Sequence, residues 1–320
     1  MTNTDAAVRY HVLHETSYTY DSAVSLSRQH LHLTPRDCPW QTCLAHTIRI
    51  DPQPTLTAWR DDHFGNPIRQ FAIEAPHERL QVSAESTVEV RPRQAQLPHF
   101  LQSSPSPPWE AVRAALAYGS RPARLDATQF QFESPYVRVK HQFAAYARPC
   151  FPPGRPLLDA VQALMQRIHD EFEFDPEATT VSTPVLEILE NKRGVCQDFA
   201  HLMLACLRSL GLAARYVSGY LLTRPPPGQP RLIGADASHA WLSVYCPAGT
   251  SSDGEWVDFD PTNNLLPDTQ HITLAWGRDF GDISPLRGVI LGGDAHDLDV
   301  AVTVIPLHGR SAATSEVGAR

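Results

Sequence analysis

A cysteine, a histidine and a carboxylate, which together can carry out nucleophilic acyl transfer, are spread over the second half of this 320-residue sequence. Cys196 stands two residues after Gly194, where the most regular apolar helical pattern of the chain begins. A helix N-terminus presents unpaired N–H groups and the positive end of the helix dipole, which stabilise a thiolate. Because the thiolate is the nucleophilic form of cysteine, we interpret Cys196 as a candidate nucleophile.

The other five cysteines lack this setting. Cys206 lies on the apolar face of the same predicted helix, and Cys150 and Cys246 adjoin prolines. Cys38 and Cys43 lie in or beside a β-rich first part of the chain. A free cysteine in such positions is ordinarily a small buried hydrophobic residue. The chain is long, its cysteines have no repeated spacing, and it opens without an apolar signal segment, so we expect free thiols in a reduced, cytoplasmic protein.

Two predicted strands can bring a base and a carboxylate to Cys196. Alternation in HAWLSVY places His239 and Trp241 on one face, and alternation in EWVDFDPT places Asp258 and Asp260 on one face. Neighbouring strands can therefore set an imidazole beside a carboxylate, while a helix packed on the sheet directs a thiol at both. Periodicity does not separate Asp258 from Asp260. A histidine at a strand end and an Asp-Pro-Thr turn are also common structural features.

The elements that position these residues follow one another in a simple order. Apolar spacing predicts helices over 109–118, 156–172, 184–190 and within 194–211, then strands over 215–223, 239–246 and 255–260. Helices followed by antiparallel strands are typical of an α+β fold. Residues 8–91 instead alternate with period two, as in VSAESTVEVRP, and predict an antiparallel β-sandwich or barrel, of which we take the sandwich.

Length and composition set the domain organisation. At about 150 residues per domain we expect two domains. We place an N-terminal β domain at 1–91, a proline-rich linker and helical connector at 92–154, a catalytic core with C-terminal strands at 155–308, and a disordered tail at 309–320. The 42% hydrophobic content excludes disorder of the whole chain. A net charge of −8 offers no basic surface for nucleic acid, and no stretch approaches the ~20 apolar residues of a membrane span.

Four segments in this order, GVCQDFAHLML, ARYVSGYL, SHAWLSVY and WVDFDPTNN, resemble the transglutaminase-like superfamily of Cys-His-Asp enzymes. The chain is similar to its bacterial branch over about 9–306, including the N-terminal β domain and the segment GRDFGDISPLRGVILGG. The resemblance implies a papain/transglutaminase-like core, in which the helix that carries the cysteine packs on an antiparallel sheet. It also implies Cys196 as nucleophile, His239 as general base and acid, and Asp260, immediately before Pro261, as the orienting carboxylate.

Other residues are secondary candidates. Gln197 and Asp198 match the family motif and, with Trp241, could support the site. An acidic residue in a first helical turn also has a dipole reason to be there, and an aromatic core position is an equal alternative for Trp241. His30 and His32 lack a carboxylate or cysteine set, and the run DAHDLD lacks calcium-loop positions, so we expect neither a metal nor another cofactor. No residue matches the family's second oxyanion donor.

The sequence thus predicts a thiol-dependent enzyme that acts on carboxamide or peptide bonds through a cysteine thioester. A hydrolase of the cysteine protease or amidase type is the first interpretation, with a protein or peptide as substrate and no nucleic acid or membrane partner. A protein-glutamine transamidase and a non-catalytic peptide-binding scaffold are the alternatives. The presence of all three triad residues favours an enzyme, and the oligomeric state stays open.

Overall fold

The computed structural model describes residues 7–93, 105–117, 125–223, 237–247 and 254–307. The helices described are α1 (Trp109–Ala115), α2 (Leu125–Thr128), α3 (His141–Ala147), α4 (Leu157–Glu171), α5 (Val185–Asn191) and α6 (Cys196–Ser209). The strands described are β1 (Val8–Leu31), β2 (Gln41–Asp51), β3 (Leu56–Asp61), β4 (Pro67–Ile73), β5 (His77–Val90), β6 (Glu173–Phe174), β7 (Arg193–Gly194), β8 (Ala214–Leu221), β9 (Ala237–Cys246), β10 (Glu255–Phe259), β11 (His271–Gly277), β12 (Leu286–Gly292) and β13 (His296–Leu307). The α+β class is confirmed, and the four predicted helices correspond to α1, α4, α5 and α6.

The long strand β1 organises a seven-stranded antiparallel sheet. Its first half pairs with β5 on one side and β13 on the other, and its second half pairs with β4 and β12. The register with β5 shifts between Thr19 and Val24. Buried side chains from both halves, among them Leu31, Phe71 and Val82, share one core cluster, so the sheet folds over on itself. This agrees with the predicted antiparallel N-terminal domain.

The last two strands differ from the predicted domain division. The predicted division places them in the catalytic core at 155–308, but β12 and β13 pair with β1 in the N-terminal sheet. Alternation predicts that a segment is a strand, but it does not indicate which strand edge the segment joins. The 24-residue strand β1 has a second edge along which β12 and β13 pair. Val302 and Val304 of β13 also pack in the main core. The predicted tail at 309–320 lies outside the described residues.

The second half of the chain forms a four-stranded antiparallel sheet in the order β10-β9-β8-β11, with α6 packed on it. The residues from Asp198 to Arg208 of α6 are all buried. A helix buried all round is a core helix, enclosed here between the sheet and the other helices. The Cys-bearing helix on an antiparallel sheet is therefore present as expected. Within the described ranges, no helix is long and apolar enough to cross a membrane.

Two side-chain amides of the N-terminal domain bind the outer edge of β11. Gln41 donates through Nε2 to the Thr273 carbonyl at 2.7 Å and accepts the Thr273 N–H at 2.8 Å. Asn66 donates through Nδ2 to the Trp276 carbonyl at 2.8 Å and accepts the Trp276 N–H at 3.0 Å. Since an edge strand leaves a row of backbone groups unpaired, these amides complete the sheet where a fifth strand would lie.

Candidate active site

Cys196 is the first residue of α6, and its backbone is held by the turn before it. Asp198 accepts the N–H of Val195 at 2.9 Å through Oδ2, and the Thr179 hydroxyl donates to the same oxygen at 2.7 Å. A Cβ on Gly194 would lie 2.7 Å from that oxygen, so only glycine lets the carboxylate approach so closely. The Gly-Val-Cys-Gln-Asp segment is thus a capped helix start that presents the half-buried thiol.

His239, near the start of β9, lies between Cys196 and Asp260. Its Nε2 bonds Asp260 Oδ2 at 2.8 Å, which leaves Nδ1 for the Cys196 thiol with which the imidazole also interacts. Burial by itself would lower the pKa of His239, but the hydrogen bonds and charges of Asp260 and Cys196 raise it to about 10. The imidazole therefore favours its charged form between a thiol and a carboxylate.

The Asp260 carboxylate, which directly follows β10, is fully buried and accepts bonds on both oxygens. Besides His239, its Oδ2 accepts Asn263 Nδ2 at 2.8 Å and His271 Nε2 at 3.1 Å. Its Oδ1 accepts the backbone N–H groups of Thr262 at 3.0 Å and Asn263 at 3.2 Å. Burial would raise the pKa of Asp260, but the bonds to His239 and then His271 hold it well below its usual range.

Asp258, the other carboxylate that periodicity allowed, has a different set of partners. Trp241 donates to its Oδ2 through Nε1 at 3.0 Å, Arg93 forms a buried ion pair with the same oxygen, and Ser243 donates to Oδ1. Among the described hydrogen bonds none joins Asp258 to His239. The structure thus brings Asp260 to the imidazole and leaves Asp258 as the partner of a guanidinium and an indole.

The three secondary candidates lie around this group in different ways. The Trp241 indole is fully buried, stacked 6.1 Å from His239 between ring centres, and therefore packs in the core. Gly219 of β8, which pairs with His239, leaves space for the Trp241 indole, since a Cβ on Gly219 would lie 2.6 Å from that ring. Asp198 caps the helix, and Gln197, the residue after Cys196, is half-buried.

Sequence reasoning missed His271, the first residue of β11. The available signal was a histidine opening the apolar strand HITLAWG, as His239 opens HAWLSVY. One ring nitrogen of each histidine and one oxygen of Asp260 lie within 4.8 Å of one another, a grouping that a metal ion could occupy. Yet the carboxylate lies 2.8 and 3.1 Å from the two imidazoles, which are hydrogen-bond lengths. The ligands of a tetrahedral zinc ion at ~2.1 Å would stand about 3.4 Å apart.

The five thiols outside this site are held in their protonated form. In each of them burial raises the pKa, which keeps the thiol protonated near neutral pH. These are Cys38, Cys43, Cys150, Cys206 and Cys246. Cys196 differs from these five in its interaction with the charged imidazole of His239.

Comparisons with known proteins identify the family of the chain. The family model described as the Bacterial transglutaminase-like N-terminal region matches residues 10–89, and that of the Transglutaminase-like superfamily matches residues 144–261. An uncharacterised protein of Mycobacterium tuberculosis (strain H37Rv) is 42% identical over 303 residues, which are 94% of either chain. The protein-glutamine gamma-glutamyltransferase of Pseudomonas aeruginosa is 28% identical over 115 residues, 33% of this chain and 16% of that protein.

Among solved structures, that of a candidate cysteine protease from Cytophaga hutchinsonii has a similar fold. It superposes with a TM-score of 0.70 at 19% identity and covers 95% of this chain and 92% of that one. The extent of this match includes both the N-terminal sheet and the core that carries Cys196. With family models matching both halves and a relative similar along nearly the whole length, the chain belongs to the bacterial transglutaminase-like family.

Proposed function

We propose that this chain is a thiol-dependent acyl-transfer enzyme that hydrolyses carboxamide or peptide bonds through a thioester on Cys196. The observation that carries the proposal is the imidazole of His239, which interacts with Cys196 and bonds Asp260 at 2.8 Å. A thiol, a base and a carboxylate that orients the base are the parts of nucleophilic acyl transfer. The membership of the transglutaminase-like superfamily supports the same chemistry.

In this reaction the Cys196 thiolate attacks the carbonyl carbon, and the electron pair of the C=O bond moves to oxygen. The backbone N–H of Cys196 at the start of α6 is a donor for that oxyanion. When the oxyanion collapses, the C–N bond breaks and the His239 imidazolium gives its proton to the leaving amine. Water then attacks the thioester while His239 accepts its proton, and collapse of the second oxyanion breaks the C–S bond, which releases a carboxylic acid and restores the Cys196 thiolate beside the imidazolium. Asp260 holds the imidazole in orientation throughout.

Transamidation is a second candidate, in which a primary amine replaces water in the attack on the thioester. The similarity to the Pseudomonas aeruginosa protein-glutamine gamma-glutamyltransferase favours it. The basic residues of the chain are nearly all arginines, with Lys140 and Lys192 as the lysines. Few lysines would limit cross-linking of the enzyme to itself, because lysine is the amine that such a reaction joins to glutamine.

The nucleophile is tested by alkylation with iodoacetamide, followed residue by residue with mass spectrometry. Near pH 7 we expect Cys196 to react at least about tenfold faster than the other five thiols, because a raised pKa keeps each of them protonated. His239→Ala and Asp260→Asn should slow this reaction. Asp258→Asn is the matched control and should leave the rate within about twofold, as Asp258 does not bond the imidazole. Equal reactivity of all six thiols would overturn the proposal.

The reaction type is tested with a glutamine-containing peptide, with and without a primary amine, and Cys196→Ser as the inactive control. Release of ammonia or cleavage of the peptide without amine incorporation supports hydrolysis. Incorporation of the amine supports transamidation instead. A protein that binds the peptide without either reaction, and whose Cys196 shows no selective alkylation, would be a scaffold.

A further inference from the structure

We propose that His271 is a positioning residue, which fixes the Asp260 carboxylate in the orientation that His239 requires. This inference rests on the function proposed above. His271 Nε2 lies 3.1 Å from Asp260 Oδ2, the same oxygen that bonds His239 at 2.8 Å. Two imidazoles therefore converge on one carboxylate oxygen, and His239 is the one that also interacts with the thiol.

Asp260 needs such a partner because it lies outside the regular part of the sheet. It follows β10, which is an edge strand, and begins a turn closed by paired backbone bonds with Leu265. Within that turn, Thr262 and Asn263 hold Oδ1 through their backbone N–H groups. His271 approaches from β11 at the opposite edge of the sheet, so its bond ties the carboxylate to the far side of the core.

His271 is itself held from several directions. Its N–H donates to the Asp268 carbonyl at 3.0 Å, and its carbonyl accepts Arg93 Nη2 at 3.1 Å. Its ring lies edge-on to Trp241 with 5.2 Å between centres. Gly219 on the intervening strand β8 has no side chain, which lets the rings meet across it. A buried imidazole with a fixed backbone and a fixed ring plane is suited to orient another side chain.

The charge state of His271 fits this role. Burial lowers its pKa, Asp260 opposes that effect, and the charges of Arg93 and His239 lower the pKa further. A neutral imidazole with its hydrogen on Nε2 donates one bond to Asp260 and leaves the negative charge of the carboxylate for His239. His271 therefore orients the carboxylate without competing for its charge.

The experiment compares His271→Phe, His271→Gln and His271→Asn by the rate of Cys196 alkylation between pH 4 and 9, in the full chain. Phenylalanine fills the space of the imidazole but has no hydrogen-bond donor. We expect the alkylation rate at pH 7 to fall about tenfold or more, a loss similar to that seen when a residue that orients a metal ligand is removed. The acid limb of the profile should move to higher pH, because a less well oriented carboxylate stabilises the imidazolium less. Glutamine, whose amide can reach Asp260, should restore most of the rate, and the shorter asparagine should not.

The matched control is His32→Phe, which removes a buried histidine that bonds another aspartate, Asp62, at 3.3 Å, together with the Ser284 carbonyl at 3.1 Å. It should leave the alkylation rate within about twofold, and thermal unfolding checks that each variant is folded. If His271→Phe does not fold, the Gln and Asn pair decides, since both carry the same amide. The inference is overturned if the wild type alkylates selectively and the His271 variants match it, or if Gln and Asn react equally. If Cys196 of the wild type does not react selectively, the proposed function itself is overturned.

Discussion

Two buried aspartates, Asp258 and Asp260, stand two residues apart and face different partners. Asp258 forms an ion pair with Arg93, so its charge is already compensated by a guanidinium. Asp260 bonds two imidazoles, of which His239 is driven to its charged form. A buried carboxylate that is already paired with a guanidinium stabilises a nearby imidazolium less. We therefore expect Asp260, and not Asp258, to stabilise the charged form of His239.

At the same scale, His239 and Asp260 make the stability of the fold depend on pH in two windows. The pKa of His239 is raised from 6.5 to about 10, so its contribution is complete below pH 6.5 and is lost as the pH rises through 10. The pKa of Asp260 is lowered from 3.8, so its contribution is present above pH 3.8 and is lost as the pH falls below that value. Both contributions to stability are therefore complete only between about pH 4 and 6.5.

We therefore expect the stability difference between the wild type and His239→Gln to be largest between about pH 4 and 6.5 and to shrink steadily towards pH 10. Urea unfolding at fixed pH values measures this difference. His46→Gln is the control, because burial lowers the pKa of His46 to about 4 and its linkage has the opposite sign. A difference that grows above pH 7 would contradict a charged His239 in the folded state.

At the scale of elements, the start of α6 combines a structural cap with the presentation of Cys196, the proposed nucleophile. The carboxylate of Asp198 accepts the backbone N–H of Val195 and the hydroxyl of Thr179, and it sits against Gly194. Burial raises the pKa of Asp198, and these two bonds oppose the rise. The helix start is therefore fixed from both sides of Cys196.

Asp198→Ala should lower the free energy of unfolding by about 1 kcal/mol through loss of the cap, and it should also slow Cys196 alkylation. Asp159→Ala is the matched control, since Asp159 is an exposed acidic residue in the first turn of α4. Its loss should cost only about 0.3–1 kcal/mol through the helix dipole and leave alkylation unchanged. Urea unfolding and alkylation kinetics measure both effects. An alkylation rate that the two substitutions change equally would contradict a special role for the α6 cap.

The elements that the sequence predicts well are those whose pattern is local. The apolar spacing of α6 and the alternation around His239 are properties of neighbouring residues, and they predict where each element lies and which side chains share a face. The pairing of β12 and β13 with β1 depends on which strand edge is free, and no local pattern records that. His271 was missed for the same reason, because its value as a partner depends on Gly219 of another strand leaving space between the rings.

At the scale of the whole molecule, the N-terminal sheet and the core are linked both by the path of the chain and by side-chain contacts. The chain leaves the N-terminal sheet after β5, forms the core, and returns through β12 and β13 to pair with β1. Gln41 and Asn66 complete the edge of β11, the strand that carries His271. The order of the site therefore depends on contacts from the N-terminal domain as well as on the core.

Gln41→Ala tests this dependence, because it removes both bonds to Thr273 and leaves a buried N–H and carbonyl unpaired. We expect a loss of about 3 kcal/mol in unfolding free energy, one unfolding transition shared by near- and far-ultraviolet dichroism, and severalfold slower Cys196 alkylation. Gln29→Ala is the matched control: Gln29 is also buried but bonds Ser27 of its own strand at 2.9 Å, so its loss should cost about 1 kcal/mol and leave alkylation unchanged. Two separate transitions, or an alkylation rate that Gln41→Ala does not alter, would mean that the core orders its own site.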